Sequence, residues 1–142
     1  MAHRKLIQID QSTGEVVDGM TMFVPNRTRN GFGNDWFAMC MNAAMEFATS
    51  DLTVSDHKVL WAMLSHLEFE NAIAINQSDI AKRLQIHRVT VCESLKKLSS
   101  LGIIIPSKDI RCAYKLNPGY AWRGSGKNHR AALEGKLRLR SP

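Results

Sequence analysis

The sequence predicts an α+β fold: a winged helix-turn-helix with an N-terminal β-hairpin, an extra apolar helix and a basic C-terminal tail. Three observations point there. Residues 77–101 carry two helical apolar patterns separated by a short turn. A short β-branched run at 72–75 precedes them, and a strand–turn–strand pattern at 103–116 follows. Positive charge gathers at the end of the chain: residues 119–142 hold six basic side chains and one acid, nearly all of the formal net +6 of the 142 residues. The expected divisions are 1–34 for hairpin and loop, 35–118 for the DNA-binding domain and 119–142 for the tail.

The elements follow in order. Lys5 to Ile9 reads as a strand, Asp10 to Gly14 as a turn in which Gly14 takes positive φ, and Thr21 to Val24 as a returning strand. Residues 26–34 read as a loop carrying Arg27 and Arg29. Asp35 is the expected N-cap of an apolar helix over 36–48, with Phe37, Cys40, Met41, Ala44 and Ala48 as its inner stripe. Trp36, Met39, Ala43 and Phe47 widen that stripe, which suggests either burial against both the body and a second subunit or one wide core face. Thr53 or Ser55 caps the next helix, over 54–67, with Val59, Leu60, Met63, Leu64 and Leu67 inward. Ala72 to Ile75 is a short strand.

Residues 77–84 form the first helix of the motif, Gln85-Ile86 the turn, and 88–101 the second helix behind a weak His87 cap. Gly102 stands where a helix ends in left-handed backbone. Ile103 to Ile105 and Cys112 to Leu116 are the strands of the wing, with Pro106 to Asp109 as its turn. Ile80, Ala81, Leu84, Ile86, Val91, Leu95 and Leu98 fill the corner between the two helices; Ala81 is the small residue that a close crossing needs. Such motifs usually place Gly where Gln85 stands, and Gln costs about 1 kcal/mol in that conformation.

With those residues inside, His87, Arg88, Val89, Thr90, Glu93, Ser94 and Lys97 are expected on the DNA side. Gln77 and Ser78 at the start of the preceding helix join them. Arg88 suits a guanine edge, Glu93 a cytosine amino group, and Lys97 a phosphate. The wing offers Lys108 and Arg111. The tail offers Arg123, Lys127, Arg130, Lys136, Arg138 and Arg140 to the DNA backbone, or to a protein partner.

Other chemistry is weak. Cys40, Cys92 and Cys112 are an odd number with no Cys-x-x-Cys pair, against a zinc site or disulfide framework and in favour of reduced cytoplasmic thiols. Gly124-Ser-Gly-Lys127 lacks the Gly and hydroxyl positions of a phosphate loop. His57 and His66 read as surface residues, and the seven methionines as core filler. No apolar stretch reaches membrane-spanning length. The expectation is a non-enzymatic protein without cofactor or metal, whose partner is double-stranded DNA, and which is a homodimer away from membranes. A winged-helix transcriptional repressor would use the same groove-reading helix.

Three stretches resemble the RepL type of plasmid replication initiators. They are Ile9-Asp-Gln-Ser-Thr-Gly-Glu-Val16, Phe23-Val-Pro-Asn-Arg-Thr-Arg-Asn-Gly-Phe32, and above all Tyr114-Lys-Leu-Asn-Pro-Gly-Tyr-Ala-Trp-Arg-Gly124. The resemblance implies binding to a plasmid origin and recruitment of host replication proteins, and it implies no catalytic residues. Tyr120, Trp122 and Arg123 are expected to pin the tail to the body.

Overall fold

Side chains that accept from unpaired backbone N–H groups set where the central helices begin. The computed structural model describes residues 12–14 and 31–140, with side chains to residue 135. Two compact units divide the chain, Met1–Asp35 and Trp36–Pro142. The hairpin expected over 5–24 falls outside the described residues apart from 12–14, where Gly14 has φ +71°, and of the loop over 26–34 only 31–34, a turn, is described, without Arg27 and Arg29.

In the second unit, β1 (Ala38–Met39) leads into α1 (Met41–Thr49), and α2 spans Val54–Ser65. Thr53 and Asp56 form a reciprocal capping box at the start of α2: Thr53 Oγ1 accepts from Asp56 N at 3.2 Å, and Asp56 Oδ2 accepts from Thr53 N at 2.9 Å. A tight turn at Phe69–Asn71 precedes β2 (Ala72–Ala74). Asn76 Oδ1 caps α3 (Gln77–Leu84) by accepting from Ser78 N at 3.0 Å and Asp79 N at 3.4 Å. α4 follows at Arg88–Ser100, and His87 makes no side-chain cap bond to it. The chain ends in β3 (Ile104–Pro106), β4 (Ala113–Leu116), β5 (Ala121–Trp122) and α5 (Gly126–Arg140).

α3 and α4 end in the same way. After α3, Gln85 N donates to Lys82 O at 3.2 Å and Ile86 N to Ala81 O at 3.1 Å, with Gln85 at φ 56°. After α4, Gly102 N donates to Ser99 O at 3.0 Å and Ile103 N to Leu98 O at 3.1 Å, with Gly102 at φ 72°. Both are Schellman closures, which demand left-handed backbone at one residue. Glycine adopts it freely at the second; at the first, glutamine carries the strain.

β2, β4 and β3 form an antiparallel sheet in that order, pairing Ile73 with Tyr114 and Ile104 with Leu116. Ile73, Ile104 and Leu116 face inward and meet Leu60, Met63, Val91 and Leu98 in one buried cluster. α2 packs against α4, and α3 contacts both. The core stripe expected of α2 is buried throughout, as are Ile80, Ala81, Val91, Leu95 and Leu98 of the helical corner. Pro106 lies on the edge strand β3, where its missing N–H removes no central ladder bond.

The apolar helix differs from expectation. It begins at Met41, after Cys40 rather than Asp35, because Ala38 and Met39 pair as a strand with Trp122 and Ala121. That pairing shifts the inner face to Ala43 and Phe47, leaving Cys40, Met41, Ala44 and Ala48 exposed. Met41 is 88% exposed and Met45 65%, so these two methionines are not core filler.

The last 24 residues are also more structured than the word tail suggests. Asn71, 1% exposed, ties their first part to β4: its Nδ2 donates to Leu116 O at 3.1 Å and Ala121 O at 2.7 Å, and its Oδ1 accepts from Arg123 N at 2.9 Å. Tyr120 packs on Phe47 at a ring distance of 5.3 Å, and buried Trp122 stacks on His129 of α5 at 5.0 Å. Tyr120, Trp122 and Arg123 do anchor the segment, as the sequence suggested. Among the described residues, no helix is long and apolar enough to cross a membrane.

Candidate nucleic-acid interface

The capped start of α3, the start of α4 and the foot of the β3–β4 hairpin meet at one place. Ile75, Asn76, Gln77, Arg88, Arg111 and Cys112 line a groove of about 480 Å³ there. Helix geometry brings Arg88 in, because the α3 closure at Gln85 and Ile86 reverses the chain just before α4. Sheet pairing brings Arg111 in, because Cys112 O accepts from Ile75 N at 3.3 Å beside the α3 cap. The groove therefore gathers three residues expected from the sequence, Gln77, Arg88 and Arg111, with two cationic side chains among them.

α4 presents an exposed strip beside this groove. His87, Arg88, Val89, Glu93 and Lys96 are exposed, and Val89 is 67% exposed. Thr90 is half-buried. Lys96 was not among the residues expected on this face. The spacing of Val89, Glu93 and Lys96 at i, i+4 and i+7 is the signal that places it there.

Two residues expected on the DNA side face the other way. Ser94 is 2% exposed, and its hydroxyl donates to Asp56 Oδ1 at 2.7 Å. Lys97 pairs with Asp56 Oδ2 at 3.1 Å and also donates to Asp51 O. Both are corrections to the outward face, and their cause is a single buried acid on α2. Burial pushes the Asp56 carboxyl up. Hydrogen bonds from Ser94, from the Thr53 backbone and from Lys97 outweigh that and hold its pKa at about 2. Asp56 thus ties α4 to α2 and fixes which side of α4 faces solvent. Gln77 is likewise engaged, accepting from Cys92 Sγ at 2.9 Å, and Ser78 is half-buried at the α3 cap. Burial pushes the Tyr114 hydroxyl up as well.

The hairpin loop holds Lys108 and Arg111 exposed, as expected. Within the basic segment the side chains separate. Arg123 is half-buried, donates to Leu67 O and lies over the Phe69 ring at 5.5 Å, so it holds the fold rather than extending into solvent. Lys127 and Arg130 are exposed on α5. Lys136, Arg138 and Arg140 continue that helix, beyond the described side chains. Among the described residues, no group of three or more His, Cys, Asp or Glu side chains is placed to hold a metal ion.

A family model described as Firmicute plasmid replication protein (RepL) matches residues 4–136. No curated protein and no solved structure matches the chain.

Proposed function

The chain belongs to the RepL family of Firmicute plasmid replication proteins, and from that premise we propose that it is a sequence-specific double-stranded DNA-binding protein that initiates replication at a plasmid origin. The observation that carries the proposal is the groove where Gln77, Arg88 and Arg111 come together at the start of α4. In this reading α2, α3, α4 and the β3–β4 hairpin act as a winged helix. α4 enters the major groove by its N-terminal half; that groove is about 12 Å wide, enough for one helix. Arg88 reads a guanine edge, and Glu93 accepts from a cytosine amino group. Lys96, Lys108 and Arg111 hold phosphates, which fix position rather than sequence. Lys127 and Arg130 extend the same electrostatic contact along α5.

The protein works by binding rather than by turnover, in the cytoplasm, as a homodimer that hands the origin to host replication proteins. Exposed Trp36, Met41 and Met45 support the dimer, since apolar side chains in one neighbourhood of sequence are the usual material of a subunit contact. The test is to select bound fragments from the DNA that encodes the protein and to footprint them. A footprint inside a replication origin, weakened by Arg88→Ala, is the expected result. A footprint over a promoter with loss of transcription moves the reading to a winged-helix repressor. Retention of no duplex fragment overturns DNA binding.

A further inference from the structure

We propose that the β3–β4 hairpin is an apolar wedge, with Ile110 entering the minor groove and unstacking one base step, so that the bound duplex is bent there. The inference rests on the DNA-binding reading above and adds an activity to it, local distortion of the duplex.

The starting point is a residue the fold does not use. Hairpin loops are ordinarily built from polar and turn-forming residues. Ile110 sits in such a loop at 65% exposure, while the buried cluster closes without it. Its surroundings are ordered. Ser107 N donates to Ala113 O at 2.8 Å, closing the loop at its base. Ser107 Oγ accepts from Asp109 N at 3.3 Å and from Ile110 N at 3.2 Å, folding the loop over that hydroxyl. Cys112 takes φ 61°, and its carbonyl is held by Ile75 N beside the α3 cap. The loop is thus anchored at both feet, and its far foot lies at the groove that Arg88 shares.

The composition of the loop names the ligand surface. Lys108 and Arg111 are exposed on either side of Ile110, with exposed Asp109 between Lys108 and Ile110, so the loop keeps a net positive charge. Cations flanking an apolar side chain suit a surface with phosphates at its rims and apolar base faces between them. Duplex minor grooves take wedges of this chemistry, with Ile among the residues used. The cations bring the loop to the two backbones, and the apolar side chain leaves water only if a base step opens. A purely electrostatic contact gains nothing from isoleucine at that position.

The experiment uses the full-length protein and the duplex recovered by selection, with 2-aminopurine placed in turn at each adenine. Wild-type protein is expected to raise fluorescence at one step outside the stretch protected by α4, and to bend the fragment by about 20–90° in a circular-permutation gel. Ile110→Ala should abolish both signals while binding weakens by less than tenfold, and Ile110→Leu should retain both. Circular dichroism verifies that the exposed substitution leaves the fold intact. Unchanged fluorescence and mobility with tightly bound wild-type protein overturn the wedge and leave the DNA reading standing. The same holds if Ile110→Ala keeps both signals, which gives Ile110 to a protein contact. Failure to bind any duplex removes both proposals together.

Discussion

Replacing Asp56 by Asn tests how the exposed face of α4 is chosen. The folded carboxyl has a pKa of about 2, against an ordinary 3.8. A tenfold change in an ionisation constant corresponds to about 1.4 kcal/mol, so ionisation of Asp56 contributes about 2 kcal/mol to stability. The sign follows from the direction. A carboxyl with a depressed folded pKa stabilises fully above its unfolded value, and the stabilisation is lost as pH falls from about 4 to about 2. Asn removes the charge, and it keeps an acceptor toward Thr53 N and Lys97 Nζ only by turning its amide Nδ2 toward Ser94 Oγ, which must then accept instead of donating. Urea denaturation at pH 7 should therefore show Asp56→Asn less stable by about 2 kcal/mol, the ionisation contribution, and by less than the roughly 3–5 kcal/mol of a fully buried pair, because Lys97 is 36% exposed. Repeating the measurement from pH 5 down to pH 2 should narrow the gap by about 2 kcal/mol, since the wild type loses its carboxylate and the variant has none to lose. A gap that stays constant across that range would refute the role given to Asp56, whatever its size at pH 7.

Four further outcomes are expected. Arg88→Ala should cost about 1–3 kcal/mol on the selected duplex and less on random DNA; equal losses on both reduce Arg88 to a phosphate contact. Gln85→Gly should raise stability by up to about 1 kcal/mol by removing left-handed strain, read from the urea midpoint; a lower midpoint contradicts the strain. Converting Lys127 and Arg130 to Gln should flatten the log–log salt dependence of binding by about 0.9 for each phosphate no longer neutralised, with sequence preference retained; an unchanged slope assigns α5 to a protein partner. Asn71→Ala should destabilise by several times about 1 kcal/mol, because two carbonyls and one N–H lose their buried partner; a loss under about 1 kcal/mol contradicts that accounting.

The parts of the fold set by local chemistry were legible in the sequence. Thr53 before α2 and Gly102 after α4 are caps whose residue types act on neighbours three or four positions away, whereas the Asn76 cap of α3 was not read. The apolar spacing within α2 and α4 identified their buried faces for the same reason. Sequence reasoning missed what depends on distant pairing. Nothing around Asp35 reveals that Ala38 will hydrogen-bond beside Trp122, so the pattern predicts a helix that begins too early. Ser94 and Lys97 sit at positions that helical spacing leaves polar, and only the location of Asp56 on another helix turns them inward. Asn71 reads as an ordinary turn residue until its partners at 116, 121 and 123 are seen. The exposure of Arg88, Lys108 and Arg111 was expected from residue type and position alone, and the juxtaposition of Arg88 and Arg111 with Gln77 at one groove needed the sheet.

The pairing of β1 with β5 joins the two ends of the second unit through strands of only two residues each. A seam so short holds few backbone bonds, yet α1 and α5 both adjoin it. Cys40 N donates to Tyr120 O at 2.9 Å on one side, and Trp122 stacks on His129 on the other. Opening the seam loosens both flanking helices at one point, while Phe47 of α1 stays in the shared core and Asn128 and His129 of α5 keep their bonds to Glu70 and Pro118 O. Amide exchange should report this as one sub-global step: protection at Cys40 and the paired β5 backbone disappears together, well before that of Val91 or Leu98. The protein then has two layers of persistence, a durable centre that holds Arg88 in place and a rim, made from the start and the end of the unit, whose backbone pairing opens first.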